Sequence, residues 1–240
     1  MNKVEKVFIQ SVDDTIACIL DYQTNIQELN TVFLHGGGPS SKENTEYLVP
    51  LFMKNHKYCV RFDFPGQGES SGIIGNSSLN NRYEETKNII KHFNINNKPL
   101  TIVGTSMSGH IACKLVNELT IDNLILFCPA AYSTEAWNIE FNKGFTDIIR
   151  QNKSYEHNNI HELLEKYPGK ILLILAENDE IIPNEVIHLY KKEVELRKGS
   201  KTYTIRNCPH PIHKWILKNE IERKALLQEI DRFLSKEEIV

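Results

Sequence analysis

LTIVGTSMSGHIACKL, residues 100–115, is the stretch on which the fold turns. Its opening, LTIVG, has the length and apolar character of a buried strand. Its close puts Ile111 and Leu115, with Leu119 beyond, on one helical face. Between them runs Gly104-Thr105-Ser106-Met107-Ser108. A strand that enters a helix through so short a turn brings two backbones close together, so small residues must flank the turn. Gly104 meets that demand. The second small position is Ser108 rather than glycine, with Gly109 directly after it. A turn of this kind lifts one side chain above the sheet edge and makes Ser106 the candidate nucleophile. Ser108 is the weaker candidate, because its own flanks would be Ser106 and the bulky His110. A plain strand–turn–helix with hydroxyls capping the helix is the alternative reading of these residues alone.

Outward from this point, strand-length apolar runs recur: VFIQSV (7–12), IACIL (16–20), TVFLHG (31–36), YCVRFD (58–63), LILFCP (124–129), ILLILAE (171–177) and KTYTIR (201–206). The middle runs are continuously apolar, as parallel strands buried on both faces are. SVDDT between the first two predicts a hairpin. Helical periodicity lies between the later runs, at Tyr47–Phe52, at Tyr83–Phe93 and in a long stripe from Ile221 to Leu234. NINNK (94–98) reads as a loop. Alternating strand and helix signals predict an α/β fold, a mostly parallel sheet with helices on both faces. All 240 residues read as one domain. The interval from Ala130 to Lys170 exceeds what a crossover needs. It holds helix-like pieces around 139–150 and 160–167, and residues 133–168 are expected to form a small helical cap over Ser106.

Three further motifs stand at the ends of predicted strands. His35-Gly36-Gly37-Gly38-Pro39 lets backbone N–H groups approach a ligand with no Cβ in the way. Acyl transfer needs two such donors for its developing oxyanion, and Gly37 and Met107 are the expected pair. Glu177-Asn178-Asp179-Glu180 ends an apolar strand; Asp179 is the best-placed carboxylate to orient a histidine, and Glu177 is the rival. CPHPIH follows the last strand and offers His210 and His213 as the base. The order serine, acid, late histidine along the chain suits a hydrolytic triad on such a sheet. A metal reading of H-x-x-H finds no third ligand cluster at matching spacing. His157 and His161, at i and i+4 with no Glu beside them, read as exposed cap residues.

On these residues the chain resembles the α/β-hydrolase superfamily over nearly its whole length. His35-Gly36-Gly37-Gly38 is similar to its oxyanion loop. Asp63-Phe64-Pro65-Gly66-Gln67-Gly68-Glu69-Ser70 is similar to its D-x-x-G-x-G-x-S turn, where Gly66 and Gly68 would supply the bend. Ala176-Glu177-Asn178-Asp179 is similar to its acid turn. The resemblance implies an eight-stranded sheet, which matches the eight runs, and a serine hydrolase with Ser106, Asp179 and His210 as triad. Counted from the last strand, His210 falls in the histidine's place; counted back from the final helix, His213 does. Simple carboxylic esters are the expected substrates, with thioesters and peptides as alternatives on the same core. Trp137, Ile139, Phe141 and Phe145 in the cap point to an apolar acyl group.

Composition is consistent with this and excludes other classes. With 40% hydrophobic and 25% charged residues and a net charge of −3, the chain has no electrostatic case for nucleic acid. No apolar run is long enough to span a bilayer. Neither HGGGPSS nor GTSMSGH spells a dinucleotide fingerprint, so no cofactor is expected. MNKVEKVFIQSVDD carries Asp13 and Asp14 where a leader's apolar core would run, and no secretory leader is read there. Five cysteines without a CxxC pair read as reduced thiols of a cytoplasmic protein, four in apolar runs and Cys208 in a loop beside the histidines. A non-catalytic binding protein on the same fold is the competing class.

Overall fold

The structure is a computed structural model that describes residues 2–11, 13–23, 29–54, 58–93 and 100–235. The NINNK stretch and Val12 of the first run lie outside the described residues. Eight strands form one sheet: β1 (Asn2–Ser11), β2 (Asp14–Gln23), β3 (Leu29–Leu34), β4 (Tyr58–Phe62), β5 (Thr101–Thr105), β6 (Asn123–Phe127), β7 (Lys170–Asn178) and β8 (Lys201–Pro209). Their spatial order is β1-β2-β4-β3-β5-β6-β7-β8. β1 and β2 make the expected antiparallel hairpin, β2 runs antiparallel to β4, and every other pairing is parallel.

The apolar runs are continuous because both faces are covered. Along β6, Leu124 and Leu126 enter one core while Ile125 and Phe127 enter the other. Along β7, Ile171, Leu173 and Leu175 alternate in the same way with Leu172, Ile174 and Ala176. The first core is closed by α2 (Leu79–His92), α3 (Met107–Leu115) and α6 (Asn184–Glu195). The second is closed by α1 (Val49–Met53), α7 (Ile212–Ile216) and α8 (Glu220–Leu234). Each fully buried Leu or Ile contributes about 1.5–3 kcal/mol to this sandwich.

α6 has no counterpart among the predicted helices. Val186, Tyr190 and Val194 are buried in its core-facing side, and Ile187 and Leu189 pack beside them, half-covered. Cys208 is corrected too: β8 runs on to Pro209, so the thiol is a buried strand residue rather than a loop one. The interval after β6 holds a turn at Thr134–Ala136, a helical stretch Phe141–Phe145 kinked at Lys143 and Gly144, then α4 (Thr146–Ile149) and α5 (Ile160–Leu164). It is tied to the start of α2 by Asn80 N–H to the Trp137 carbonyl (3.0 Å) and by Trp137 Nε1–H to Asn80 Oδ1 (3.1 Å).

The order β4-β3-β5 contains the point where the winding reverses. The chain leaves β3 toward β4 on one side, while β5 leads to β6 on the other. Loops that diverge in this way open a crevice at the carboxyl ends of the two strands. HGGG follows β3 and the Ser106 turn follows β5, so both flank that crevice.

Candidate active site

Ser106 stands between β5 and α3 with φ 50° and ψ −113°, a conformation costing about 1–3 kcal/mol in a non-glycine residue. Three backbone bonds hold it there. Its N–H donates to the Phe127 carbonyl (2.8 Å), and its carbonyl accepts from Gly109 N–H (2.9 Å) and Ala130 N–H (3.0 Å). The flanking glycines are sterically required. A Cβ on Gly104 would lie 2.7 Å from the Ser108 carbonyl oxygen, and one on Gly109 would lie 2.5 Å from Pro129 Cβ. The close approach to β6 therefore falls on Gly109. That leaves room for a side chain at Ser108, which is fully buried and donates its hydroxyl to the His35 carbonyl (2.5 Å).

His210 meets Ser106 and Asp179 with its two ring nitrogens. Nε2 is 3.1 Å from Ser106 Oγ, and Nδ1 is 2.8 Å from Asp179 Oδ2. Asp179 Oδ1 accepts from the N–H groups of Ile181 (2.9 Å) and Ile182 (3.0 Å). Burial alone would raise the Asp179 pKa. Its bonds to His210, Ile182 and Ile181 outweigh burial and hold it below the ordinary carboxylate value. An ionised Asp179 requires the proton on Nδ1, which leaves Nε2 free to accept one from Ser106.

The rival residues go elsewhere. His213 is buried, with Nε2 2.8 Å from Thr105 Oγ1 and Nδ1 3.0 Å from Tyr47 Oη. Burial pushes its pKa down to about 3, so it is neutral near pH 7. Glu177 is exposed and accepts from Asn207 N–H (2.8 Å). His157 is exposed, and His161 pairs with Glu193 (2.7 Å).

A hollow of about 190 Å³ opens over Ser106, lined by Gly36, Gly37, Asn44, His210, His213 and Lys214 among others. Gly37 lies against Met107: a Cβ on it would be 3.0 Å from Met107 Cε. Met107 opens α3, where N–H groups have no intrahelical acceptor. Beyond Met107 lies a second hollow of about 320 Å³, lined by Gly38, Ile74, Arg82, Phe141 and Phe145 with others. Ile139 is half-buried and Trp137 is buried in the adjoining core.

Two groupings escaped sequence reading. Cys128, at φ 43°, brings its thiol within 4.8 Å of ligand atoms of Asp179 and His210. Burial, then the neighbouring Asp179, pushes that thiol's pKa well above its ordinary value, and the imidazole and carboxylate already hold each other. Glu43, Asp63 and Glu69 converge on the buried Lys42 ammonium at 3.0, 2.5 and 2.8 Å, so this acidic trio carries its own cation. Lys42 thereby fixes the turn whose bends are Gly66 and Gly68, at φ +75° and +52°. Among the described residues, no helix is long and apolar enough to cross a membrane.

A family model described as serine aminopeptidase, S33, matches residues 28–162, more than half of the chain. Over 110 residues the chain is 32% identical to the monoacylglycerol lipase ABHD6 of Bos taurus, a match covering 43% of this chain and 32% of that protein. The chain thus spans about a third of the length of that curated relative. Among solved structures, a CIB-like hydrolase of Thermoplasma acidophilum superposes with a TM-score of 0.69 at 16% identity, over 97% of this chain and 100% of that one. The esterase EaEST of Exiguobacterium antarcticum gives 0.67 at 18% identity, over 95% and 100%. At such identities these two likenesses speak for the fold, that of the α/β-hydrolases.

Proposed function

The chain belongs to the serine aminopeptidase S33 family, hydrolases of the α/β-hydrolase superfamily, and from that membership we propose that it cleaves carboxylic esters of small apolar acyl groups through Ser106. The observation that carries this reading is the linked pair of contacts, Ser106 Oγ to His210 Nε2 and His210 Nδ1 to Asp179 Oδ2, at 3.1 and 2.8 Å. In the proposed mechanism Ser106 Oγ attacks the ester carbonyl carbon as His210 Nε2 takes its proton. Asp179 stabilises the resulting imidazolium. The N–H groups of Gly37 and Met107 receive the negative charge on the carbonyl oxygen. The tetrahedral species collapses by breaking the bond to the alcohol oxygen, which leaves with the proton from His210. Water, deprotonated by the same imidazole, then releases the acid and restores Ser106.

An ester is favoured over a peptide with a free N-terminus by the charges around the site. The linings of both hollows carry a cation, Lys214 in one and Arg82 in the other, and neither includes a carboxylate to hold an α-ammonium group. Residues 133–168 act as the cap in this reading, because Phe141 and Phe145 share the second hollow with Met107. Curated relatives named monoacylglycerol lipase are in keeping with an ester substrate. Five buried cysteine thiols suit a reducing compartment such as the cytoplasm.

The test is turnover of p-nitrophenyl acetate, butyrate and octanoate beside aminoacyl p-nitroanilides, by wild type and Ser106→Ala. The reading expects a burst of about one nitrophenol per chain, followed by steady ester turnover, both lost in Ser106→Ala. Preference for the anilides, or ester turnover that survives Ser106→Ala, would overturn it.

A further inference from the structure

The loop after β3 presents its carbonyls to side chains from three separate elements. The His35 carbonyl accepts from Ser108 Oγ on α3 (2.5 Å). The Gly36 carbonyl accepts from His35 Nδ1–H (2.9 Å) and from Arg82 on α2 (3.5 Å). The Gly38 carbonyl accepts from Gln67 Nε2–H in the turn after β4, and Gln67 Oε1 in turn accepts from Arg82 Nη2–H. Arg82 is fully buried, with the rings of Phe64 and Phe141 on it at 4.7 and 5.1 Å. His35 Nε2 accepts from Phe64 N–H (3.1 Å), which requires the Nδ1–H tautomer that serves Gly36.

In a trans peptide the C=O and the following N–H point in opposite directions. A Gly36 carbonyl tied inward to Arg82 and His35 therefore turns the Gly37 N–H outward, toward the side where Ser106 and His210 line the hollow. Glycine on both sides of that peptide gives it freedom to rotate, so its direction depends on what holds its oxygen. A donor that must reorient during the reaction loses much of its effect, since preorganisation is the source of oxyanion stabilisation.

We propose that Ser108, Arg82 and Gln67 are positioning residues that clamp the 35–38 loop and aim the Gly37 N–H at the oxyanion. Arg82 holds the Gly36 carbonyl itself, and Ser108 holds the carbonyl of the residue before it. Ser108 occupies the second small position of the turn, where the superfamily pattern has glycine, and joins the nucleophile's own helix to the loop bearing the donor. This rests on the ester-hydrolase reading and extends it to residues that touch neither substrate nor the reacting atoms.

The experiment compares Ser108→Ala and Gln67→Leu with wild type for kcat, KM, thermal midpoint and affinity for an arylboronic acid, a mimic of the tetrahedral species. The clamp predicts that each variant loses about tenfold or more in kcat, below the 10²–10³ of a deleted donor. KM should stay within about twofold, and boronate affinity should fall by the same factor as kcat/KM. A purely structural role would lower the midpoint and leave kcat and boronate affinity of the folded fraction unchanged, and that result in both variants would overturn the proposal. Absence of ester turnover in wild type would instead remove the hydrolase reading on which it stands.

Discussion

His210 and His213 stand three residues apart and occupy opposite surroundings. Around His210 the chain supplies an ionised carboxylate, a strained serine and an opening to solvent; its side chain is 19% exposed. Around His213 it supplies two hydroxyls, Thr105 and Tyr47, against the ring of Phe127 at 4.7 Å. The first surroundings can accept a positive charge during a reaction. The second exclude one, since burial holds the His213 pKa down to about 3. The residue type is the same. What differs is whether the second ring nitrogen meets an anion or a neutral oxygen, and on that difference rests the proposal of proton transfer for His210 and structural support for His213.

This contrast predicts its own largest effect. His210→Ala should lower kcat for p-nitrophenyl butyrate by about 10³-fold or more, and Asp179→Asn by a comparable factor, with folding retained by circular dichroism. His213→Ala should keep kcat within about tenfold of wild type. Comparable losses for His210→Ala and His213→Ala would erase the distinction between the two sites.

Stability should show the reverse pattern. His213→Phe leaves the Thr105 and Tyr47 hydroxyls without their shared partner and should cost about 1–3 kcal/mol in urea unfolding. His210→Ala, at a half-buried site, should cost less.

Acid sensitivity sharpens the same comparison. The His213 pKa is lowered from 6.5 to about 3, so the unfolded chain binds a proton between those values that the folded chain does not. Stability is therefore full above about pH 6.5 and falls as the pH drops toward 3, by about 1.4 kcal/mol per pH unit for each such histidine. His35 and His110, lowered by burial to about 3 and about 4, add to this slope. Urea midpoints between pH 6 and pH 4.5 should fall less steeply in His213→Phe than in wild type; an unchanged slope would contradict its being buried neutral.

The smallest effect lies farthest from the reacting atoms. Phe141→Ala and Phe145→Ala widen the hollow beside Met107 and should shift the octanoate-to-acetate ratio of kcat/KM by a few-fold. A ratio that does not move would remove the 133–168 segment from substrate selection.

Much of the fold was readable because backbone constraints leave marks in sequence. Continuous apolar runs on β5, β6 and β7 follow from two buried faces, and Gly104, Gly66 and Gly68 stand where a Cβ would collide. The choice between His210 and His213 was not readable, since it depends on β8 continuing through Asn207 and Cys208 to Pro209. The apolar pattern ends before that, and Asn207 takes φ 54°. Helix α6 did leave a mark, since Val186, Ile187, Leu189, Tyr190 and Val194 recur at helical spacing, and it was passed over between the acid turn and the last strand. Lys42 and Arg82 were hidden for a different reason. Charged residues read as solvent-facing, and only the folded chain brings Asp63 and Glu69 to the one and Gln67 and Gly36 to the other. Ser108 departs from the usual glycine of the turn, and the adjacent Gly109 takes the contact with Pro129 in its place.

The central claim is that Ser106 is a nucleophile activated by His210 and not by His213. Labelling with a fluorophosphonate, followed by mass spectrometry of the peptides, tests it most directly. The account predicts one adduct per chain on Ser106, none on Ser108, labelling abolished in Ser106→Ala, slowed by orders of magnitude in His210→Ala and nearly unchanged in His213→Ala. An adduct on Ser108, or labelling of Ser106 that survives His210→Ala and is lost in His213→Ala, would contradict it.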